Sequence, residues 1–510
     1  MRAKRRSRTR ESGGSFVWLV LAIVASIIGW TLAAPPLRTV LGPLLTIACL
    51  NVLYLTMIYR WDRHVPAFEV ATLWLGAASL YGGYPMVNFI AGGLAWLPTS
   101  TWMLVRLNPG PAEVASIGWR YALWIGAFVI TYLLVRRRRS LRMLPVDRSP
   151  GTSAAIVVTA AAVVFFLEAV SMIYNVEYSP RYRDLITGQD RSFAEYLPMG
   201  LLRIVHNVVG MRLLLLQAIV ALLLMNWRKR AARVALVLFL AAIGIQTIVR
   251  AGQRTEFFLL LLTTAILYHR FVRQLTFRFA AIMGFAFLAF FNLAGLLRES
   301  AIRGTEFAQQ QAPLFAEVNE FQSVFGTTIH VKQMRDTGEL KSVPMQVHFS
   351  EFVNLVPSPL LPFEKLNLPQ WYMELAGRGG IRFGGMMFGA VTQAILGWDW
   401  IELAIRGVLL GLFCAAVHQW YVRRETHFWP TIFYMFLGIW MYYFVRQASF
   451  EFLYFIVYRF LPTMIAVEIV RHLLLYTMRR VVRRRPATRP ARQPTRPAPA
   501  VELISAPAEQ

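Results

Sequence analysis

The sequence predicts an all-α, polytopic membrane protein with about twelve transmembrane helices, and three observations carry that prediction. Hydrophobic residues make up 56% of the 510, and the mean hydropathy is +0.48. Only 16% of the residues are charged, against roughly 25% in an ordinary soluble domain. Apolar runs of the length that crosses a bilayer, about 20 residues, recur along the chain. The net charge of +26 does not mark a nucleic-acid binder, because the arginines fall in short clusters between apolar runs rather than on one basic surface.

Taken in order, the predicted spans are 16–34, 37–59, 67–90, 119–135, 152–174, 201–226, 234–249, 255–269, 277–297, 400–421, 428–445 and 450–478. The first follows a basic stretch and precedes Ala33, Ala34, Pro35 and Pro36, as a cleaved leader would. It exceeds the 7–15 residues or so of a leader core and heads a series of similar runs, so it reads as a retained anchor. Cys49 and Cys414 both lie inside apolar runs, where they form neither a disulfide framework nor a metal set.

Short loops rich in Lys and Arg stay cytoplasmic, and here they alternate consistently. The basic loops carry Arg2 to Arg10, Arg60 and Arg63, Arg136 to Arg139, Arg228 to Arg233, Arg270 to Arg278, Arg423 and Arg424, and Arg479 to Arg485. Both termini are therefore expected in the cytoplasm. The Pro-, Ala- and Arg-rich tail from 479 to 510 has no core-forming composition and is expected to be disordered. An apolar, Gly-rich stretch at 383–397 is short for a span and would break the alternation. It is expected to be a re-entrant or interfacial helix.

The opposite, non-cytoplasmic face is dominated by the segment 298–399, far longer than an ordinary connection. Its aromatic residues, among them Phe315, Phe321, Trp371 and Tyr372, predict folded structure. Signatures of hydrolases, phosphate-loop NTPases and zinc enzymes are absent, as is a D-x-D pair, so no metal and no cofactor is expected. Arginines on this face are unexplained by topology. Arg250 and Arg254 are four apart, which on a helix brings two guanidinium forks to one side in a geometry suited to a diphosphate. Arg298 and Arg303 leave the next span similarly, and Arg378 and Arg382 repeat the spacing of four. The plainer alternatives are salt bridges to Glu256 and Glu299, or contacts with lipid headgroups. A general base is sought among Glu317, Glu320, His330, His348 and Glu351. His348 and Glu351, three apart, share a helix face as a base and its orienting partner, or as a solvated surface. Aromatic residues from Trp440 to Tyr454 read as an interfacial belt or bundle core before they read as sugar platforms.

From Val234 to Arg424 the order of features resembles the bacterial O-antigen polymerase family, which joins oligosaccharide repeat units. The resemblance rests on the turn Arg250-Ala251-Gly252-Gln253-Arg254, on Asn319-Glu320-Phe321 in a large outer loop, on the run from Val356 to Lys365, and on a Gly-rich helix before the next span. Ala251 and Gln253 stand where the family favours small hydroxyl residues. The resemblance implies a metal-independent glycosyltransferase of C-type architecture at the periplasmic face of the inner membrane, acting on undecaprenyl-diphosphate-linked sugars. It implies diphosphate binding by Arg254 and Arg250, with Arg298, Arg303, Arg378 and Arg382 as further partners, and it leaves the base open among Glu320, His348 and Glu351. A flippase and a chain-length regulator are the implied protein partners. The competing expectations are an O-antigen ligase-like transferase and a non-enzymatic carrier of lipid-linked sugar; the carrier is disfavoured by the absence of a repeated half.

Overall fold

The computed structural model describes residues 34–61, 69–92, 109–136, 212–249, 254–273, 320–340, 343–357, 360–366, 388–425 and 427–465 with few gaps, plus scattered residues elsewhere. The predicted spans 16–34, 152–174 and 277–297 lie wholly or largely outside the described residues. So do the turn 250–253, the segment 298–319 and the tail.

Among the described residues every regular element is helical. In chain order they are α1 (Pro35–Trp61), α2 (Val70–Gly92), α3 (Pro111–Val135), α4 (Arg212–Met225), α5 (Arg230–Val249), α6 (Arg254–Phe271), α7 (Glu320–Asp336), α8 (Gln346–Val353), α9 (Ala390–Leu396), α10 (Trp400–Arg424), α11 (Phe428–Trp440), α12 (Tyr443–Arg446) and α13 (Phe452–Phe455). A π-turn, Ile456–Phe460, continues α13. Among the described residues five stretches are long and apolar enough to cross a membrane: Pro35–Ile58, Pro111–Val135, Trp400–Arg424, Phe428–Arg446 and Phe452–Ile469. The chain is in this sense an all-α membrane protein.

Two boundaries differ from the hydropathy reading for physical reasons. Helix α3 begins at Pro111, eight residues before the apolar run at 119. Pro111 supplies a preset φ at the first helical position, and Glu113 reaches back to the Gly110 N–H at 2.9 Å. The polar residues of this first turn escape a hydropathy window because their partners are protein: Glu113 accepts from Gln333 of α7 at 3.0 Å. The run 428–445 breaks at Met441 and Tyr442, which turn the chain into α12.

The core is a bundle of α1, α2, α3 and α10. Helices α1 and α3 run in parallel, with Gly42 against Trp119 near one end and Tyr54 against Tyr132 near the other. Helix α2 lies antiparallel, so that Glu69 meets Arg136 while Met86 meets Gly118. Helix α10 is parallel to α3 from Asp399 beside Arg120 to Gln419, whose amide donates to the Val135 carbonyl at 2.9 Å. Gly407 and Gly411 let these two backbones approach: a Cβ there would stand 2.7 Å from the Trp124 carbonyl oxygen and 2.9 Å from that of Phe128. That is the small-residue spacing of four by which membrane helices pack. A second apolar cluster joins α4, α5 and α6 to α11 and α13 through Leu216, Leu260, Ile432, Phe436 and Phe460.

One end of the bundle carries Arg136, Arg423 and Arg424; the other is the loop end, where α7, α8 and α9 pack. Phe321 of α7 lies against Tyr81 and Tyr84 of α2. The described part of the Gly-rich stretch, α9, is a short helix with all seven residues buried.

Candidate functional site

The loop end gathers ionisable side chains around the sharp turn Gly397-Trp398-Asp399 that joins α9 to α10. Asp399 has φ 52° and ψ −112°, the one positive-φ non-glycine among the described residues. A conformation of this kind costs on the order of 1–3 kcal/mol and persists where its surroundings hold it. Here the grip is visible. Arg120 of α3 binds Asp399 in bidentate fashion at 2.7 and 2.6 Å, and its remaining nitrogen donates to the Ser116 hydroxyl and carbonyl at 2.6 and 3.0 Å. Its guanidinium lies 4.5 Å from the Trp400 ring centre. Arg335 of α7 joins the same turn through the Ile395 carbonyl and, at 3.5 Å, Asp399.

A second network lies one turn further into α10. Arg406 donates from Nη1 to Glu351 at 2.6 Å, from Nε to Glu402 at 2.7 Å, and from Nη2 to the His348 carbonyl at 3.3 Å. Glu351 is fully buried, and its other oxygen accepts from the Gln393 amide at 2.7 Å. Gln393 also donates to the Val347 carbonyl at 2.7 Å. Glu402 accepts from the Trp398 N–H at 3.2 Å. A carboxylate and a guanidinium removed from water are tolerated when each finds charged and hydrogen-bonding partners, as these do.

Within that network two polar atoms have no partner among the described residues: Nδ1 of His348 and Oε1 of Gln393. His348 is half-buried, and its Nδ1 would stand 2.9 Å from a Cβ at Gly397. The same Cβ would fall 1.9 Å from Glu402 Oε2, so only glycine fits between the imidazole and the carboxylate. A buried acceptor left open beside fixed charges can receive a proton or hold a hydroxyl.

Of the residues singled out in the sequence, His348 and Glu351 are brought into one network, both on α8. Glu351 does not bond to His348: both its oxygens are occupied by Arg406 and Gln393, and these two side chains hold the His348 carbonyl instead. Arg250, Arg298, Arg303, Arg378, Arg382 and Glu317 lie outside the described residues. Arg254 and Glu320 are the first residues of α6 and α7. His330 is used elsewhere, its Nδ1 2.5 Å from the Tyr372 hydroxyl. Burial raises the hydroxyl pKa and lowers that of the imidazole, so Tyr372 donates and His330 accepts as a neutral ring.

Arg120, Gln393, Asp399, Glu402 and Arg406 were not anticipated. The signal for Arg120 and Arg406 was present: each is an arginine inside an apolar run, and an ionisable residue there marks a functional site by default. Gln393 and Asp399 carry no comparable mark.

Compared with protein-family models, with curated proteins and with solved structures, the chain matches none of them.

Proposed function

We propose that this protein is a glycosyltransferase that polymerises undecaprenyl-diphosphate-linked oligosaccharide repeat units at the periplasmic face of the bacterial inner membrane, with both termini cytoplasmic. The observation that carries the reading is the half-buried His348, its Nδ1 buried without a partner among the described residues, at the loop end of an apolar bundle and beside the Arg406–Glu351 network. The order of sequence features supports it: the arginine turn 250–254, the large outer loop and the Gly-rich helix resemble those of O-antigen polymerases.

In the proposed reaction a hydroxyl oxygen of the incoming repeat unit attacks C1 of the sugar at the reducing end of the growing glycan. The bond from C1 to the diphosphate oxygen breaks, and its electron pair leaves with undecaprenyl diphosphate. The hydroxyl proton passes to a base. Among Glu320, His348 and Glu351, His348 is preferred to Glu351, because its Nδ1 lacks a partner among the described residues while Glu351 already accepts from Arg406, Gln393 and Ser350; Glu320, at the start of α7, is the alternative. Glu351 then positions α8. Arg250 and Arg254, with Arg298, Arg303, Arg378 and Arg382, are assigned to the diphosphate, whose growing charge guanidinium groups stabilise without a metal. A flippase to supply the repeat unit and a chain-length regulator are the corresponding partners.

The test is purified protein in nanodiscs with defined lipid-linked repeat units. Longer lipid-linked glycans are expected. Arg254→Ala should abolish them, and His348→Ala should slow them by about 10²- to 10⁴-fold, the usual share of a general base. No elongation from a competent substrate, or transfer only to a non-repeat acceptor, sinks the polymerase reading.

A further inference from the structure

We infer that α8 is an in-plane membrane wedge, its outer face embedded among the acyl chains of the leaflet at the loop end. This holds independently of the chemistry at His348.

Depth along the bundle is the first argument. Helix α8 meets α10 at Arg406, six residues past Trp400, and the chain just after α8 meets the last span at Tyr458, six residues past Phe452; that tyrosine hydroxyl donates to the Leu355 carbonyl at 2.7 Å. At 1.5 Å per residue both contacts sit about 9 Å below the span ends. On each span the positions beside these contacts are open to the surroundings: Ile401 and Ile405 flank Glu402 and Arg406, and Val457 flanks Tyr458. Helix α8 thus lies at the level of, and between, two surfaces that face lipid.

Its own sequence matches that placement. Val347, Ser350 and Glu351 are buried, whereas Met345, Phe349 and Phe352 are 76%, 49% and 43% exposed. With Val356, also exposed, they recur at intervals of 4, 3 and 4, one face of a helix. Leu360 and Phe363 extend the apolar surface beyond it. An all-apolar stripe facing water would be costly, and large residues on one face of a short helix are what an interfacial segment presents to lipid.

The second argument is independent and concerns the backbone. Where water is scarce, a short helix must have its free carbonyls satisfied by protein. Those of Asn354 and Leu355, just past its last turn, accept from Lys365 at 3.3 Å and from Tyr458 at 2.7 Å, and the ladder carbonyls of Val347 and His348 take further bonds from Gln393 and Arg406. Side chains from four other segments serve one two-turn helix and its exit.

The experiment labels the full chain in nanodiscs. Cys49 and Cys414 are first replaced by Ala, then Phe349→Cys or Phe352→Cys carries an environment-sensitive fluorophore, with Glu339→Cys, exposed beyond α7, as the aqueous control. Lipids brominated on their acyl chains should extinguish most of the emission at 349 and 352 and little at 339, and aqueous iodide should do the reverse. Quenching of 349 and 352 by iodide places the face in water and overturns the inference. Shielding from both quenchers, or energy transfer between labelled copies, shows a protein partner on this face and overturns it equally. Both phenylalanines are half-exposed, so the two labelled variants provide independent readings without removing a core residue.

Discussion

Helices α3 and α10 lie beside a buried ion cluster at each of their ends, and the two clusters are built differently. At the arginine-rich end Glu69 accepts from Arg136 at 2.5 Å and from the Tyr132 hydroxyl at 2.9 Å, so both oxygens are taken. Its partners sit on α3, and Tyr434 closes the cluster from α11 by accepting from the Val70 N–H at 3.4 Å. Every group there ties one span to another. At the loop end Arg406 and Arg120 tie spans to the connecting segment instead, through Glu351 on α8 and Asp399 in a strained turn. That cluster also keeps open polar atoms on His348 and Gln393. The end closed by helix-to-helix ties serves assembly; the end whose ties reach into the connecting segment can receive a ligand there, and this contrast is what locates the candidate site at one end of the bundle.

The contrast can be broken first at the closed end. Glu69→Ala leaves the Arg136 guanidinium buried without its carboxylate, a loss of about 3–5 kcal/mol, and should lower the midpoint of thermal unfolding in detergent more than any other single change named here. Glu351→Ala should cost less, about 1.5–3 kcal/mol, because Arg406 keeps Glu402. Its signature is local: limited proteolysis should cut within 340–366 while the bundle stays intact. Equal unfolding of the whole protein in both variants would erase the distinction between the two ends.

The remaining predictions sharpen it. Gly407→Ala forces a Cβ against the Trp124 carbonyl and should destabilise by about 1–3 kcal/mol, the usual cost of overpacking, read as a lower unfolding midpoint with the loop protected normally. The smallest effect concerns pH. Burial is the main cause that lowers the pKa of His330, with Glu339 opposing it weakly, so the folded loop takes a proton less readily than the unfolded chain. Its contribution is therefore complete above about 6.5, the ordinary histidine value, and is lost as pH falls through the lower folded value. Hydrogen-exchange protection in α7, taken relative to the intrinsic rate at each pH, should fall on acidification through this range, and His330→Gln should flatten the response.

The parts legible in the sequence are those whose partner is lipid or near neighbours. The runs 37–59 and 400–421 became α1 and α10 because apolar side chains need no specific partner to declare a span. His348 and Glu351 were legible as a pair because three residues bring them to one helix face. What escaped depends on distant pairing: Glu113 looks like a loop residue until Gln333 answers it, and Glu351 meets Gln393 and Arg406 at separations of 42 and 55 residues. Polar residues whose partners lie that far along the chain give no periodic signal, and the arginines inside apolar runs were hidden by the averaging that found the runs.

The pairing of Arg120 with Asp399 also orders events in time. The two residues are 279 positions apart, and a ribosome adding about 5–20 residues per second takes roughly 14–56 s to cover that gap. Throughout that interval α3 holds, at the loop end of the bundle, an arginine whose carboxylate has not been made. Ser116, one turn earlier on the same helix, is a partner already made when the wait begins. The bundle is therefore born with this tie missing, and α10 supplies it on arrival.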